Sequence, residues 1–201
     1  SDVYKRQDLY RNDIFWGGIK DYGFNEYIIS ELYGNNHIED IPAMADKYPL
    51  FNSYWDDKLA KVENIKVPAA YVVASWTNHL HTRGTLQSWH ELNIKDRWLR
   101  VHNTMEWPDY YTPKYYEDLR RFFDFYLKDI NNGWDKTPRV RLSILDPGGV
   151  DEVDRVEEEF PLPQTQFTKL YLDAENSSLT LSAPKDESKV RYRADDERGK
   201  A

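Results

Sequence analysis

The sequence predicts an α/β fold with a parallel sheet, followed near residue 135 by the first strands of an all-β domain. Three observations predict it. Ala69-Ala70-Tyr71-Val72-Val73-Ala74-Ser75 is a continuous apolar run, the texture of a strand buried on both faces. Strand-like and helix-like segments then alternate as far as Ile130, which implies parallel strands joined by right-handed crossovers. After Gly133 that alternation stops, and short segments of period two are separated by Pro147-Gly148-Gly149, Pro161 and Pro163.

The elements follow in order. Residues 8–60 read as short helices joined by turns. Asn25 is placed to cap a helix with Ile28, Ile29 and Leu32 on one face and Gly34 at its stop. Asp40 precedes a second helix with Pro42 in its first turn, and a third is expected over 53–60. The aromatic residues here, among them Phe15, Trp16, Tyr48, Tyr54 and Trp55, either fill a small helical core or form a substrate-contacting lid. A weaker helix is expected over 82–92, and Arg97-Trp98-Leu99-Arg100-Val101 reads as a second strand.

The strongest helix signal comes next. Thr112 is a cap, Pro113 takes the first helical position, and Glu117 and Asp118 complement the dipole. Leu119, Phe122, Phe123, Tyr126, Leu127 and Ile130 form its apolar stripe, and Asn131-Asn132-Gly133 ends it. Beyond it, 140–145, 169–172 and 178–181 read as half-buried strands, with the domain boundary near 134–138. The acidic run 151–159 reads as a solvated loop or edge.

Composition bounds the function. At 201 residues, 40% hydrophobic and 15% aromatic, the chain can bury a core and is not a disordered polymer. No apolar run approaches the ~20 residues of a membrane-spanning helix. The absence of cysteine excludes a disulfide framework, thiolate zinc sites and a cysteine nucleophile. A net charge of −8 without a basic stripe argues against binding a phosphate backbone, so neither nucleic acid nor a membrane is expected as a partner. What remains is a soluble globular protein acting on something small or uncharged, with no cofactor and no metal. Homo-oligomerisation stays open, as does the compartment, with the cytoplasm slightly favoured. The start, Ser1-Asp2-Val3-Tyr4-Lys5-Arg6-Gln7, has no apolar segment of a signal peptide and resembles translated adaptor sequence. Residues 1–7 are therefore expected to be a non-native leader, and the chain an internal fragment with domains over 8–135 and 136–201.

Ligands of open α/β sheets bind beyond the carboxyl ends of the strands. Two such loops are legible, one from Ser75 to Gly84 and one from His102 to Asp109, together holding three of the five histidines. A polar residue after one strand and a histidine after the next is how an acid and a base are presented to one another. His102 is the candidate base and Asn78 the candidate orienting residue; against these stand a hydrogen-bonded structural histidine at the strand end and a turn-forming asparagine. Trp76 and His81 are the candidate substrate contacts. His79 and His81, two apart, are a conceivable metal pair with no adjoining carboxylate cluster. Glu106 and Asp109 could supply an acid or simply form loop salt bridges. Ser75 lacks the glycines of a nucleophile elbow, and His37 and His90 read as surface or packing residues.

Several blocks carry a family resemblance. Pro49-Leu50, Tyr54-Trp55, Ile65-Lys66-Val67-Pro68-Ala69 and Ser75-Trp76 come in that order, then Phe122-Phe123-Asp124-Phe125-Tyr126-Leu127-Lys128-Asp129-Ile130-Asn131-Asn132-Gly133 and Pro138-Arg139-Val140-Arg141-Leu142. Over roughly 8–182 the chain resembles the cocaine esterase/X-Pro dipeptidyl-peptidase (CocE/NonD) family of serine hydrolases. The resemblance implies a partial α/β-hydrolase sheet with helical cap segments over 8–135, then the first strands of a jelly-roll-like β-sandwich over 136–201. It implies cleavage of small ester or amide substrates through an acyl-enzyme, with a nucleophile serine upstream of Asp8. No G-x-S-x-G occurs in these 201 residues, so the chain alone is expected to be inactive. The family's acid falls at Asn78, which accepts a hydrogen bond but supplies no charge. The family's histidine pattern falls at Met105, with His102 three residues earlier. These departures keep open a catalytically silent relative that binds a ligand or partner. An aromatic-rich sandwich binding carbohydrate is a weaker third reading.

Overall fold

A computed structural model describes residues 9–16, 18–21, 23–31, 35, 37, 39–78 and 81–191. Expectations resting on residues 1–7, Leu32, Gly34 and His79, or on the side chain of Trp16, lie outside the described residues. The chain divides into two units, one running to Phe160 and one beginning at Pro161.

The first unit begins with a π-helical turn, Tyr10–Ile14, leading into a hairpin of β1 (Phe15–Trp16) and β2 (Ile19–Lys20). Gly18 turns that hairpin at φ 86°, a conformation costly for any side chain. Three helices follow, α1 (Gly23–Ser30), α2 (Ile41–Lys47) and α3 (Ser53–Asp57). The expected cap at Asn25 lies inside α1, which begins at Gly23, where Asp21 accepts from the Gly23 N–H at 3.1 Å. Asp40 caps α2 as read, accepting from Ala43 at 2.9 Å, and Asn52 caps α3 by accepting from Tyr54 at 3.0 Å. Leu9, Ile14, Phe15, Ala45 and Trp55 form a buried cluster with Tyr10, Ile41, Tyr48 and Tyr54 against it. Those aromatic residues therefore fill a core.

The sheet that positions the site comes next. Its strands are β3 (Ala70–Ser75), β4 (Arg97–His102), β5 (Val140–Ile144) and β6 (Glu152–Glu157), in that spatial order. Helix α4 (Thr82–Glu91) joins β3 to β4, as the alternation required. β3 and β4 are parallel from Ala70↔Arg97 to Ser75↔His102, and β4 and β5 are parallel from Leu99↔Val140 to Val101↔Leu142. Between β4 and β5 lie α5 (Glu106–Tyr111) and α6 (Pro113–Lys128).

Three details differ from the sequence expectation. Val140–Ile144, expected to open the all-β domain, pairs with β4 inside the α/β sheet; its buried Val140 and Leu142 find a parallel neighbour that period two does not reveal. Helix α5 replaces the expected loop after β4, and six residues are too few to show a helical period. Helix α6 stops at Asp129, which adopts φ 53° at the left-handed position, ahead of Asn131-Asn132-Gly133. The acidic run forms β6, antiparallel to β5 at the sheet edge, with a bulge where Asp154 takes φ 57°.

Trp98, Phe122 and Trp134 form the core between the sheet and α6, with Tyr71, Phe125 and Tyr126 packed against it. Ring centroids lie 5.4 Å apart for Trp98–Trp134 and 5.2 Å for Tyr71–Trp134. The second unit contains the antiparallel pair β7 (Tyr171–Asp173) and β8 (Ser178–Thr180), joined by a turn in which Asp173 accepts from the Asn176 N–H at 3.1 Å.

Candidate active site

Successive side chains of a strand alternate between faces, so the β3–β4 register places Val73 beside Arg100 and Ser75 beside His102 on one side of the sheet. Those residues floor a cavity of about 350 Å³. Its walls are Asn78 and His81 from the segment between β3 and α4, Thr85 from α4, Trp107 and Tyr110 from α5, and Tyr115 and Leu119 from α6. The structure thus brings His102, Asn78 and His81 together on one cavity. Trp76 is not on that wall: its indole N–H donates to the Ser143 carbonyl at 2.7 Å, and its backbone N–H to the His102 carbonyl at 2.9 Å. It ties the loop after β3 to β4 and β5.

The Asn78 side-chain oxygen accepts from the His81 backbone N–H at 2.8 Å, and the Asn78 carbonyl accepts from the Thr82 N–H at 3.3 Å. The residue shapes the turn into α4 as well as lining the cavity. His81 is partly exposed and lies 3.9 Å from Glu106 through Nε2. Ser75 is buried, donating to the Thr104 carbonyl and approaching Thr77 Oγ1 at 3.0 Å, and no glycine elbow presents it.

His102 is only 3% exposed. Its Nδ1 is 3.3 Å from Thr104 Oγ1 and 3.5 Å from Asp109 Oδ1. Burial pushes its pKa below the ordinary histidine value and outweighs the attraction of Asp109; Arg100 pushes the same way as burial. The ring is therefore neutral at pH 7, as a base must be.

Beneath the histidine runs a polar network that the sequence reading did not assemble. Arg100 binds Asp109 as a fork, Nη1 reaching Oδ1 at 3.0 Å and Nη2 reaching Oδ2. The Arg100 Nε donates to the Tyr71 hydroxyl at 3.2 Å, which itself donates to Asp118 and accepts from Arg141 at 2.8 Å. Arg141 also donates to Asp118 at 2.7 Å. Burial would lower the Arg100 pKa, but hydrogen bonding to Asp109 and the pull of Tyr71 raise it further above the usual arginine range. Burial raises the Tyr71 hydroxyl, partly offset by the two guanidinium groups, so it stays protonated. The available signal was Arg100 inside a strand of Trp98, Leu99 and Val101: a charge in a buried strand requires a partner.

Polar side chains gathered past the carboxyl ends of adjacent parallel strands, under helices that cross between them, place the chain in the α/β class to which α/β-hydrolases belong. The comparisons with known proteins refine this. The sequence model of the X-Pro dipeptidyl-peptidase C-terminal non-catalytic domain matches residues 132–198. A crystal structure of a CocE/NonD family hydrolase from Staphylococcus aureus is 35% identical, with a TM-score of 0.77 over 87% of this chain. A second structure of the same hydrolase, at 1.95 Å, is 36% identical, with a TM-score of 0.78 over the same share. No curated protein matched. The chain belongs to the CocE/NonD family of hydrolases. It covers 32% of the length of each of those structures. Among the described residues no helix is long and apolar enough to cross a membrane, and no cluster of three or more histidine or acidic residues is arranged to hold a metal.

Proposed function

We propose that this chain supplies the histidine of a serine hydrolase that cleaves small acyl esters or amides, including X-Pro dipeptidyl substrates, with the nucleophile in a segment outside these 201 residues. The observation that carries the reading is His102: neutral, buried, at the carboxyl end of a parallel strand, and on the wall of a cavity. β3 supports it as well. Its apolar run has the texture of an interior strand, yet β3 is the outer strand of the described sheet, which fits a further strand from a longer protein.

In this mechanism the serine oxygen bonds to the substrate carbonyl carbon as His102 takes its proton. The bond to the leaving alcohol or amine then breaks, and His102 returns the proton to it. Water repeats the sequence on the acyl-enzyme and frees the serine. Asn78 holds the loop facing His102, His81 meets substrate from the cavity wall, and Trp76 keeps that loop anchored to β5.

A second reading is a silent relative that binds a ligand in the same cavity. The resemblance motivates it, since it sets Asn78 at the family's acid position and Met105, which is 60% exposed, at the family's histidine position. Hydrolysis of a p-nitrophenyl acyl ester by the full-length protein decides between them. The expected result is turnover that falls by about three orders of magnitude or more in His102→Ala with the far-UV spectrum unchanged. Wild-type turnover in that variant, or no turnover in the unmodified protein, overturns the proposal.

A further inference from the structure

We infer that Asp109, from α5, is the positioning acid of His102, performing through the histidine's own following helix the task for which the position of Asn78 carries no charge. The inference rests on the hydrolase reading above. A histidine base needs its Nδ1 proton held by an anion, so that Nε2 is the nitrogen left to exchange a proton and the imidazolium is stabilised when it forms. Asp109 Oδ1 lies 3.5 Å from His102 Nδ1, and both side chains are at most 5% exposed. Catalytic hydrogen bonds are often long before substrate binds. Oδ1 also accepts from Arg100 Nη1 at 3.0 Å, but a carboxylate oxygen has two lone pairs and serves both donors. Arg100 fixes the plane of the carboxylate by its two-pronged contact, while Tyr71 holds the guanidinium from behind.

The other nearby acids are committed elsewhere. Glu106 is near His81, at 3.9 Å. Asp118 is held by Arg141 and Tyr71. Asp154 accepts from Lys114 at 2.6 Å and from Tyr115 at 3.0 Å, and acts on His102 only through its charge. Among the described residues Asp109 is the carboxylate within ion-pair reach of this imidazole.

The test uses Asp109→Asn, Asp109→Glu and the neutral pair Arg100→Gln/Asp109→Asn. The last guards against misfolding, because it leaves no buried charge without a counterion. Two readouts are taken. In the full-length enzyme, Asp109→Asn is expected to lower kcat by about 10³–10⁴ with KM within a few-fold, and Asp109→Glu to recover part of the loss. The acid limb of kcat/KM should move to lower pH, since an attraction that raises the His102 pKa has been removed while Arg100 remains. The charged groups facing the ring from β4, α5 and β6 are Arg100, Asp109 and Asp154. In the 201-residue chain, imidazole ¹⁵N shifts should report the Nδ1–H tautomer, lost in both variants that carry the Asp109→Asn change.

The two readouts separate two failures. An inactive full-length protein whose tautomer still depends on Asp109 sinks the hydrolase reading and keeps the positioning role. An active enzyme whose rate, pH profile and tautomer survive both Asp109→Asn and the neutral pair overturns the positioning role. So does a tautomer that changes with Thr104→Val instead.

Discussion

Removing one oxygen atom, in Tyr71→Phe, tests whether the polar network beneath the cavity holds the site together. The Tyr71 hydroxyl donates to Asp118 and accepts from Arg100 Nε at 3.2 Å and Arg141 Nη2 at 2.8 Å. Each of these bonds has a charged partner, a kind that contributes about 1.5–3 kcal/mol singly. They do not add, because they meet at one oxygen and are coupled. Nor is either guanidinium stranded: Arg100 keeps its fork on Asp109, and Arg141 keeps Asp118 at 2.7 Å. The phenyl ring retains its contacts with Phe122 and Trp134, so no cavity opens. The remaining loss is the desolvation of two guanidinium N–H groups, one on each arginine, and part of one carboxylate in a dry site, expected to be about 2–4 kcal/mol.

Urea unfolding followed by tryptophan fluorescence measures it. The midpoint should fall with an unchanged slope, and a thermal melt should drop by about 4–16 °C for a chain of this length. Tyr54→Phe is the internal control: its hydroxyl makes one bond, to Glu39 at 2.7 Å, in an exposed setting, and should cost less than about 1 kcal/mol. A Tyr71→Phe loss no larger than the Tyr54→Phe loss would refute the claim that the hydroxyl bridges two buried ion pairs.

Other expectations follow from the same structure. Trp134 is fully buried and its indole N–H finds no acceptor among the described residues, whereas the Trp98 N–H donates to the Thr137 carbonyl at 3.0 Å. Trp98→Phe should therefore destabilise more than Trp134→Phe by about 1 kcal/mol in urea melts, since only the first removes a hydrogen bond, the one to the partly buried Thr137 carbonyl. His102 sits below the usual 6.5 because burial disfavours its charged form. Above about pH 6.5 the ring is neutral in folded and unfolded chains; below it the unfolded chain binds a proton that the folded chain refuses, so stability falls with falling pH. Melts at about pH 7.5 and about pH 5.5 should show that decline, and His102→Gln should reduce it. Asp40→Ala removes the cap of α2 and should cost about 1 kcal/mol, read as a shift in the denaturation midpoint.

Which parts of this molecule could be read in advance follows from how each part signals itself. β3, β4 and α6 were legible because a buried parallel strand is apolar on both faces, and because a sixteen-residue helix shows its stripe and its Pro113 start. His102 and Asn78 were legible as strand-end residues for the same topological reason. Helix α5 was not, since Glu106-Trp107-Pro108-Asp109-Tyr110-Tyr111 completes fewer than two turns and carries a proline. With α5 unseen, Asp109 read as one loop acid among two, and nothing separated it from Glu106. Their partners separate them: Glu106 lies 3.9 Å from His81, whereas Asp109 pairs with the buried Arg100. The left-handed turn at Asp154 and the parallel pairing of β5 were equally silent, being set by partners distant in sequence.

A buried ion pair is weak evidence of stability, because taking both charges out of water offsets most of what their attraction returns. Two such pairs, Arg100–Asp109 and Arg141–Asp118, meet at one tyrosine here, so the arrangement is better explained by what it positions. Arg100 and Arg141 stand on neighbouring strands at paired positions, and Tyr71 rises from the third strand. The sheet thus presents a rigid donor array that apolar side chains, which slide, could not replace. Its acceptors are one aspartate on α5 and one on α6, so the array sets where both helices lie. Helix α5 in turn carries Trp107 and Tyr110 to the cavity wall and holds Asp109 beside His102. A shift of α5 by even about 1 Å would take that carboxylate out of reach of the imidazole. The charges buried beneath the cavity therefore matter for register: they couple the helix that shapes the cavity wall to the strand that carries His102.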